Sequence, residues 1–380
     1  MNKPFWPLAV NTWGDAEREA AHRIIDSGRL TVGEEVEAFE HEFAQYIGSR
    51  YAIMVNSGSS ANLLAVATMM TRDSNIGSAI VPAIAWATTY APLHQHNLAL
   101  RIVDIDPFTL NVTDEAIWRA INDSTGVIVG CSILGNPAPV DKIRIIADSN
   151  ELFFIEDNCE SMGAKIGDQF CGTFGHIGTF STFFSHHIST GEGGVLVTDD
   201  DELYELALCM RAHGWTRDLP AESPLRVRLE VAGDYQFVLP GYNLRPTELA
   251  AAVGRAQLQR LNEMNTRRWL NWSNFYNNFG ADERWGIQSV SAGAVPFGFT
   301  LVFRNERECA LAKQKLQAAG IEYRMITGGC FTEHPAASHY RWSAVDDLPN
   351  ARYAHHCGLF IGNHPFNLSE QIARMAEVLK

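Results

Sequence analysis

The sequence contains no C-x-x-C pair, no basic excess and no long apolar run, and each absence closes a class of function. Its seven cysteines, Cys131, Cys159, Cys171, Cys209, Cys309, Cys330 and Cys357, are odd in number and widely scattered. That pattern argues for reduced thiols in a cytoplasmic setting rather than a disulfide framework. Zinc is not expected, because no C-x-x-C or H-x-x-x-H spacing supports it. Lys and Arg number 30 against 44 Asp and Glu, a formal net charge of -14. Such a balance disfavours non-specific attraction to nucleic acid or to anionic membrane surfaces, so an anionic ligand would need a local pocket of backbone N–H groups and a few arginines. No segment approaches the ~20 apolar residues that span a bilayer. The opening MNKPFWPLAV has no apolar signal-like core. No internal repeat or low-complexity tract interrupts the chain, and a soluble cytoplasmic protein is expected.

What is present is a chain of 380 residues, 46% hydrophobic and 19% charged, long enough for a large core and two domains. In EEVEAFEHEFAQYI (34–47), Val36, Phe39, Phe43 and Ile47 recur at helical spacing with acids opposite, which predicts an amphipathic helix. Apolar runs follow at 51–55, 78–86, 100–106, 125–133, 152–157 and 193–199, with helical patterns such as 113–121 and 140–149 between them. Strands alternating with helices imply a mostly parallel sheet with its ligand at the carboxyl ends of the strands. After a polar loop at 216–235 and a long helical stretch from about Thr247 to Asn278, the remainder has the makings of a smaller α+β domain. The expected division is 1–245 and 246–380.

Three stretches carry candidate chemistry. NSGSSAN (56–62) places small residues between strand and helix, where backbone amides approach an anion; an ordinary βα turn reads the same way. IEDNCESMGA (155–164) ends an apolar strand on Asp157, suited to a protonated ring nitrogen or, equally, to a helix cap or a solvated loop. Glu160 adds a second acid. FSTFFSHHISTGEGG (180–194) holds Ser181, a possible phosphate ligand, and a glycine turn, with His186 and His187 in the middle. Neighbouring histidines in extended or irregular chain point different ways, which makes them poor joint metal ligands.

Together, in order and spacing, these stretches resemble the fold-type I pyridoxal phosphate enzymes of the nucleotide-sugar aminotransferase (DegT/DnrJ/EryC1/StrS) family. The likeness runs from SGRLTVGEEVEAFEHEFA (27–44) through VPAIAWATT (81–89), RAHGWTR (211–217) and PGYNLRPTELAAA (240–252) to GLFIGNHP (358–365). It implies an α/β, aspartate aminotransferase-like fold with a large, mostly parallel-sheet domain and a smaller C-terminal α+β domain. Residue by residue, it implies that Gly58, Ser59 and Ser181 hold the cofactor phosphate, Trp86 stacks on the pyridine ring, Asp157 pairs with the ring nitrogen and Glu160 lies near the phenolic oxygen. Asn243 would reach the phosphate from the other subunit of a homodimer. Arg245 is a candidate for an amino-acid carboxylate or, alternatively, an ion pair at the domain boundary. The segment RMITGGCF (324–331) is expected near the sugar nucleotide.

The departure from the family pattern is His186, which stands where the family has its Schiff-base lysine. Imidazole cannot form that bond, so the resemblance implies pyridoxal or pyridoxamine phosphate held noncovalently. His186 then acts as base and acid in removing the C3 hydroxyl of a nucleotide-linked 4-keto-6-deoxyhexose, with GDP-4-keto-6-deoxy-D-mannose the implied substrate and L-glutamate restoring the amine. Deoxysugar biosynthesis of the colitose kind for lipopolysaccharide O-antigen is the implied setting. Related 3-dehydrases that carry a histidine use an iron–sulfur cluster, for which the cysteine spacing here supplies too few ligands. A slow or inactive aminotransferase homologue and a noncatalytic nucleotide-sugar binder are the alternatives. Both leave the joint presence of Trp86, Asp157, Glu160 and Ser181 without a use.

Overall fold

The computed structural model describes residues 4–231, 233 and 235–380, so parts of the expected N-terminal segment and of the 216–235 loop lie outside the described residues. The strands are β1 (Tyr51–Val55), β2 (Ser78–Pro82), β3 (Ala99–Val103), β4 (Thr125–Cys131), β5 (Phe153–Asp157), β6 (Lys165–Ile166), β7 (Gln169–Phe170), β8 (Ile177–Ser181), β9 (Gly194–Thr198), β10 (Trp285–Gly286), β11 (Gly298–Phe303), β12 (Trp342–Ala344) and β13 (Gly358–Gly362). The main sheet has eight strands in the order β1-β9-β8-β5-β4-β2-β3-β12. Its neighbours run parallel except at β9, which is antiparallel to both β1 and β8. Strands β2, β5, β8 and β9 are almost wholly buried, as strands covered on both faces must be.

The expected amphipathic helix is Glu34–Ile47, and its Val36, Phe39, Phe43 and Ile47 are buried. The long helix is Glu248–Phe279, capped by the Thr247 hydroxyl, which accepts from the Ala250 N–H. The run at 78–86 is a strand only to Pro82, and its last residue, Trp86, precedes the helix Ala87–Gln95. Residues 321–326 make isolated bridges instead of a strand: Ile321 pairs with Trp6, and Arg324 with Phe360.

Beyond the main sheet, β10, β11 and β13 form a second, antiparallel sheet over an aromatic core of Trp6, Phe275, Phe279, Trp285, Phe299 and Phe303. Several links cross position 245, two of them between the sheets and their cores. Trp6 enters the core of the second sheet, and β12 pairs with β3 at the edge of the main sheet.

Candidate active site

The carboxyl ends of β1, β2, β4, β5 and β8 converge on a cavity of about 320 Å3. Among its lining residues are Gly58, Ser59, Trp86, Asp157, Glu160, Ser181 and His186. Seven of the nine expected site residues therefore meet here. Asn243 and Arg245 do not line it. Asn243 is exposed, and Arg245 donates from Nε to its Oδ1 at 3.1 Å, so among the described residues Arg245 has a neutral amide rather than an acid as partner.

At one end of the cavity the helix Gly58–Arg72 begins, with the Ser57 hydroxyl accepting from the Ser60 N–H at 3.0 Å. The first N–H groups of a helix have no partner within it and carry its partial positive charge. Gly58 is required by closeness, because a Cβ there would lie 2.6 Å from the Ser181 Cβ. Ser59 Oγ is 2.8 Å from Thr88 Oγ1. This end combines hydroxyls and free amides around a backbone surface with no side chain in the way, which fits a phosphate.

At the other end lies Asp157, buried at the tip of β5. Its Oδ2 accepts from Asn62 Nδ2 at 2.8 Å and from Thr89 Oγ1 at 2.7 Å, and its Oδ1 accepts from the Cys159 N–H at 3.2 Å. A carboxylate so held keeps lone-pair capacity for a further donor such as a protonated ring nitrogen. Trp86 is 45% exposed, leaving indole surface for a flat ligand. The Arg324 guanidinium lies 4.9 Å from its ring centroid.

Glu160 accepts on Oε2 from the Leu134 N–H at 2.9 Å and from Thr327 Oγ1 at 3.0 Å. Burial pushes its carboxyl up to about 7, against the pull of those two donors. It is thus poised to exchange a proton near neutrality.

His186 and His187 do part company. His187 is fully buried and bonds through Nε2 to the Val295 carbonyl at 3.0 Å. His186 lines the cavity, with Nδ1 2.7 Å from the Cys159 carbonyl. A carbonyl only accepts, so Nδ1 carries the proton and Nε2 of the neutral ring is the basic nitrogen. Burial, reinforced by the Arg268 charge, lowers His186 to about 4. No lysine lines the cavity among the described residues.

Sequence reasoning missed Asn62 and Thr89, which hold Asp157, and Thr88, which meets Ser59. Each belongs to a stretch already singled out, NSGSSAN or VPAIAWATT, so helical spacing from Ser59 and Trp86 was the available signal. Phe183, Ser185, Glu192, Phe297 and Phe360 also line the cavity. The last two come from the second sheet and its approach; Phe360 belongs to GLFIGNHP, whereas Phe297 has no local motif to mark it.

A GDP-4-keto-6-deoxy-D-mannose 3-dehydratase of Yersinia pseudotuberculosis is 41% identical over 385 residues, covering 99% of this chain and 98% of the relative. The solved structure of E. coli GDP-4-keto-6-deoxy-D-mannose-3-dehydratase with bound hydrated PLP matches at a TM-score of 0.93 and 39% identity, over 100% of both chains. A structure of GDP-4-keto-6-deoxymannose-3-dehydratase with a trapped PLP-glutamate geminal diamine matches at 0.92 and 39%, over 99% of this chain and 100% of the other. The model of the DegT/DnrJ/EryC1/StrS aminotransferase family matches residues 11–380, and the chain belongs to that family.

Proposed function

We propose that the chain is a pyridoxamine-phosphate-dependent 3-dehydratase that removes the C3 hydroxyl of GDP-4-keto-6-deoxy-D-mannose and uses L-glutamate as cosubstrate. The observation that carries this reading is His186, which lines a cavity without a lysine among the described residues and is bonded so that Nε2 is left free. The cavity fits the group: an amide-and-hydroxyl end at Gly58, Ser59 and Ser181 for the phosphate, the Trp86 face for the ring, and Asp157 for its nitrogen. When bound, pyridoxamine phosphate supplies the amine that condenses with a sugar ketone and a ring that accepts electrons released beside it.

The chain's own residues do the rest. Asp157, fixed by Asn62 and Thr89, keeps the ring nitrogen protonated and the ring electron-poor. His186 Nε2 takes the proton from C4′ and returns it to the C3 hydroxyl, which leaves as water. General acid–base help of this kind is worth roughly 10²–10⁴-fold. Hydrolysis then releases ammonia and a 4-keto-3,6-dideoxy sugar, and L-glutamate restores the amine with 2-oxoglutarate as product. Glu160, beside Thr327, is suited to the cofactor's phenolic oxygen. Arg324, over Trp86, brings its segment, 324–331, to the side where the sugar nucleotide enters.

The division into a cofactor-binding part, 1–245, and a smaller part, 246–380, is part of this reading and is supported by the separate aromatic core of the second sheet. So is a homodimer with shared sites, in which the partner's Asn243 reaches the phosphate. Phe183 is exposed at the cavity, Phe184 beside it is exposed too, and Tyr235 and Phe237 are 75% and 62% exposed, which suits burial against a second copy. No helix among the described residues is long and apolar enough to cross a membrane; a cytoplasmic setting is our reading from the reduced thiols.

Purified protein mixed with pyridoxal phosphate, L-glutamate and GDP-4-keto-6-deoxy-D-mannose should yield a sugar nucleotide lacking one oxygen, with ammonia and 2-oxoglutarate in equal amounts. Formation of an amino sugar would overturn dehydration. His186→Lys should retain the cofactor covalently after borohydride reduction and lose dehydration; dehydration at the parental rate would remove His186 from its role.

A further inference from the structure

Arg268 is a buried charge that the chemistry above leaves unused. It lies on the helix Glu248–Phe279 and is 2% exposed. No acid among the described residues forms an ion pair with it, and burial alone lowers its guanidinium to about 9. Its donors go to backbone carbonyls. Nη1 donates to Asn363 O and Nη2 to His186 O at 3.2 Å, while Nε has no partner. Burying a cation without a counter-ion is strongly unfavourable even after relaxation.

Three imidazoles lie within reach of its charge, those of His186, His187 and His364. His187 and His364 donate from Nε2 to the carbonyls of Val295 and Pro7, at 3.0 and 2.7 Å, and His186 donates from Nδ1 to Cys159. Burial lowers each of them, and the Arg268 charge adds to it. The groups that face His186 come from several elements. Asp157 on β5 and the Cys159 carbonyl favour its protonation. Arg268 on the long helix and Arg324 in the loop after Ile321 oppose it. His187 adjoins it, and Glu160 and Glu192 line the same cavity.

We propose that Arg268 is a positioning residue for His186: it ties the His186 carbonyl to Asn363 at the end of the second sheet and holds the imidazole neutral until the ring takes a proton. The inference rests on the dehydratase reading for its second half. Once formed, the imidazolium faces a fixed cation, which makes it a stronger acid toward the departing hydroxyl. The same charge keeps Nε2 unprotonated at neutral pH and favours the return of the proton, while making the ring a weaker base in the first transfer.

The test reads the imidazole directly. In full-length protein with 13C-labelled histidine, the His186 resonance is identified by its loss in His186→Asn, and its titration midpoint is followed by NMR. The wild type should titrate below about 5, well under the unperturbed value of about 6.5. Arg268→Met and Arg268→Gln should raise the midpoint by about one unit, a tenfold rise in imidazolium at fixed pH. Arg268→Lys should keep the wild-type midpoint and rescue turnover, while the neutral variants lower kcat with little change in KM for the sugar. A wild-type midpoint near 6.5, or one unchanged in the neutral variants, overturns the proposal. So does a failure of both neutral variants to fold while Arg268→Lys folds, which would assign Arg268 to the fold alone. The titration needs no turnover, so failure of the dehydratase reading would appear separately in the product assay.

Discussion

Gly58 shows how much of the site depends on one missing carbon. The first turn of its helix passes so near β8 that a Cβ would sit 2.6 Å from the Ser181 Cβ and 3.0 Å from the Cys159 Sγ. Gly58→Ala must therefore shift the helix start or Ser181, and overpacking of this kind costs about 1–3 kcal/mol. Cofactor phosphate binding should weaken roughly tenfold or more if most of that strain falls on the bound state. Absorbance titration with pyridoxal phosphate checks it, and unchanged affinity would mean that the turn does not hold the phosphate. The same scale shows what a sequence can reveal. NSGSS announces a tight turn through its composition, and the end of the apolar run singles out Asp157, but the string EDN at 156–158 does not reveal what its neighbour Glu156 meets. Side chains alternate along a strand, so Asp157 enters the site while Glu156 points away, accepting N–H bonds from Gly172, Phe174 and Gly175. Burial pushes that second carboxyl up to about 7, and no local pattern names its three backbone donors.

Among the elements, the helices were legible where one face decides their position and obscure where a distant side chain does. The spacing of Val36, Phe39, Phe43 and Ile47 announces the helix Glu34–Ile47, since burial of one stripe is what stabilises it. Its start is another matter. Gly33 has no side chain to cap it; instead Glu248, at the first position of the long helix, accepts from the N–H groups of Gly33 and Val36 on Oε1, at 2.8 and 3.0 Å, and of Glu35 on Oε2 at 3.0 Å. The carboxylate thus neutralises one helix's free amides while sitting in the first turn of its own, where negative charge is also favoured. Glu248→Ala leaves those buried donors unpaired and should lower the free energy of unfolding by about 1–3 kcal/mol. Urea unfolding at neutral pH measures this. A loss under about half a kcal/mol would show that water replaces the carboxylate. Strand β8 was hidden for a different reason: its residues 177–181 run into the histidine segment, so the chemistry of FSTFFSHHISTGEGG masked a β-strand that ends on Ser181. Strand β9 runs antiparallel beside it, joined through residues 182–193, a connection that holds no helix to carry the chain across the sheet.

At the scale of the molecule, alternation of strand and helix made the α/β sheet legible, and strand ends made the place of the site legible. What lay beyond a single chain's sequence order is how distant segments close on the cavity. Phe297 and Phe360 arrive from the second sheet, Trp6 joins a core built from residues beyond 270, and β12 returns to the edge of the main sheet. Asn243 and Arg245 add the opposite lesson, since they belong to the motif GYNLRP but stay outside this chain's cavity. If the partner's Asn243 completes each site of a homodimer, the two halves of a site can be damaged on separate chains. His186→Asn removes the base, and Asn243→Asp sets a carboxylate against the phosphate. Each variant alone should be nearly inactive. Unfolded together and refolded at equal concentration, they pair at random, half of the dimers are mixed, and each mixed dimer carries one undamaged site. Dehydratase activity should return to about a quarter of the wild-type level, as expected for a two-fold assembly. Sites built within one chain would stay inactive in every pairing, so an absence of recovery in a mixture shown by mass to contain mixed dimers would place Asn243 outside the site.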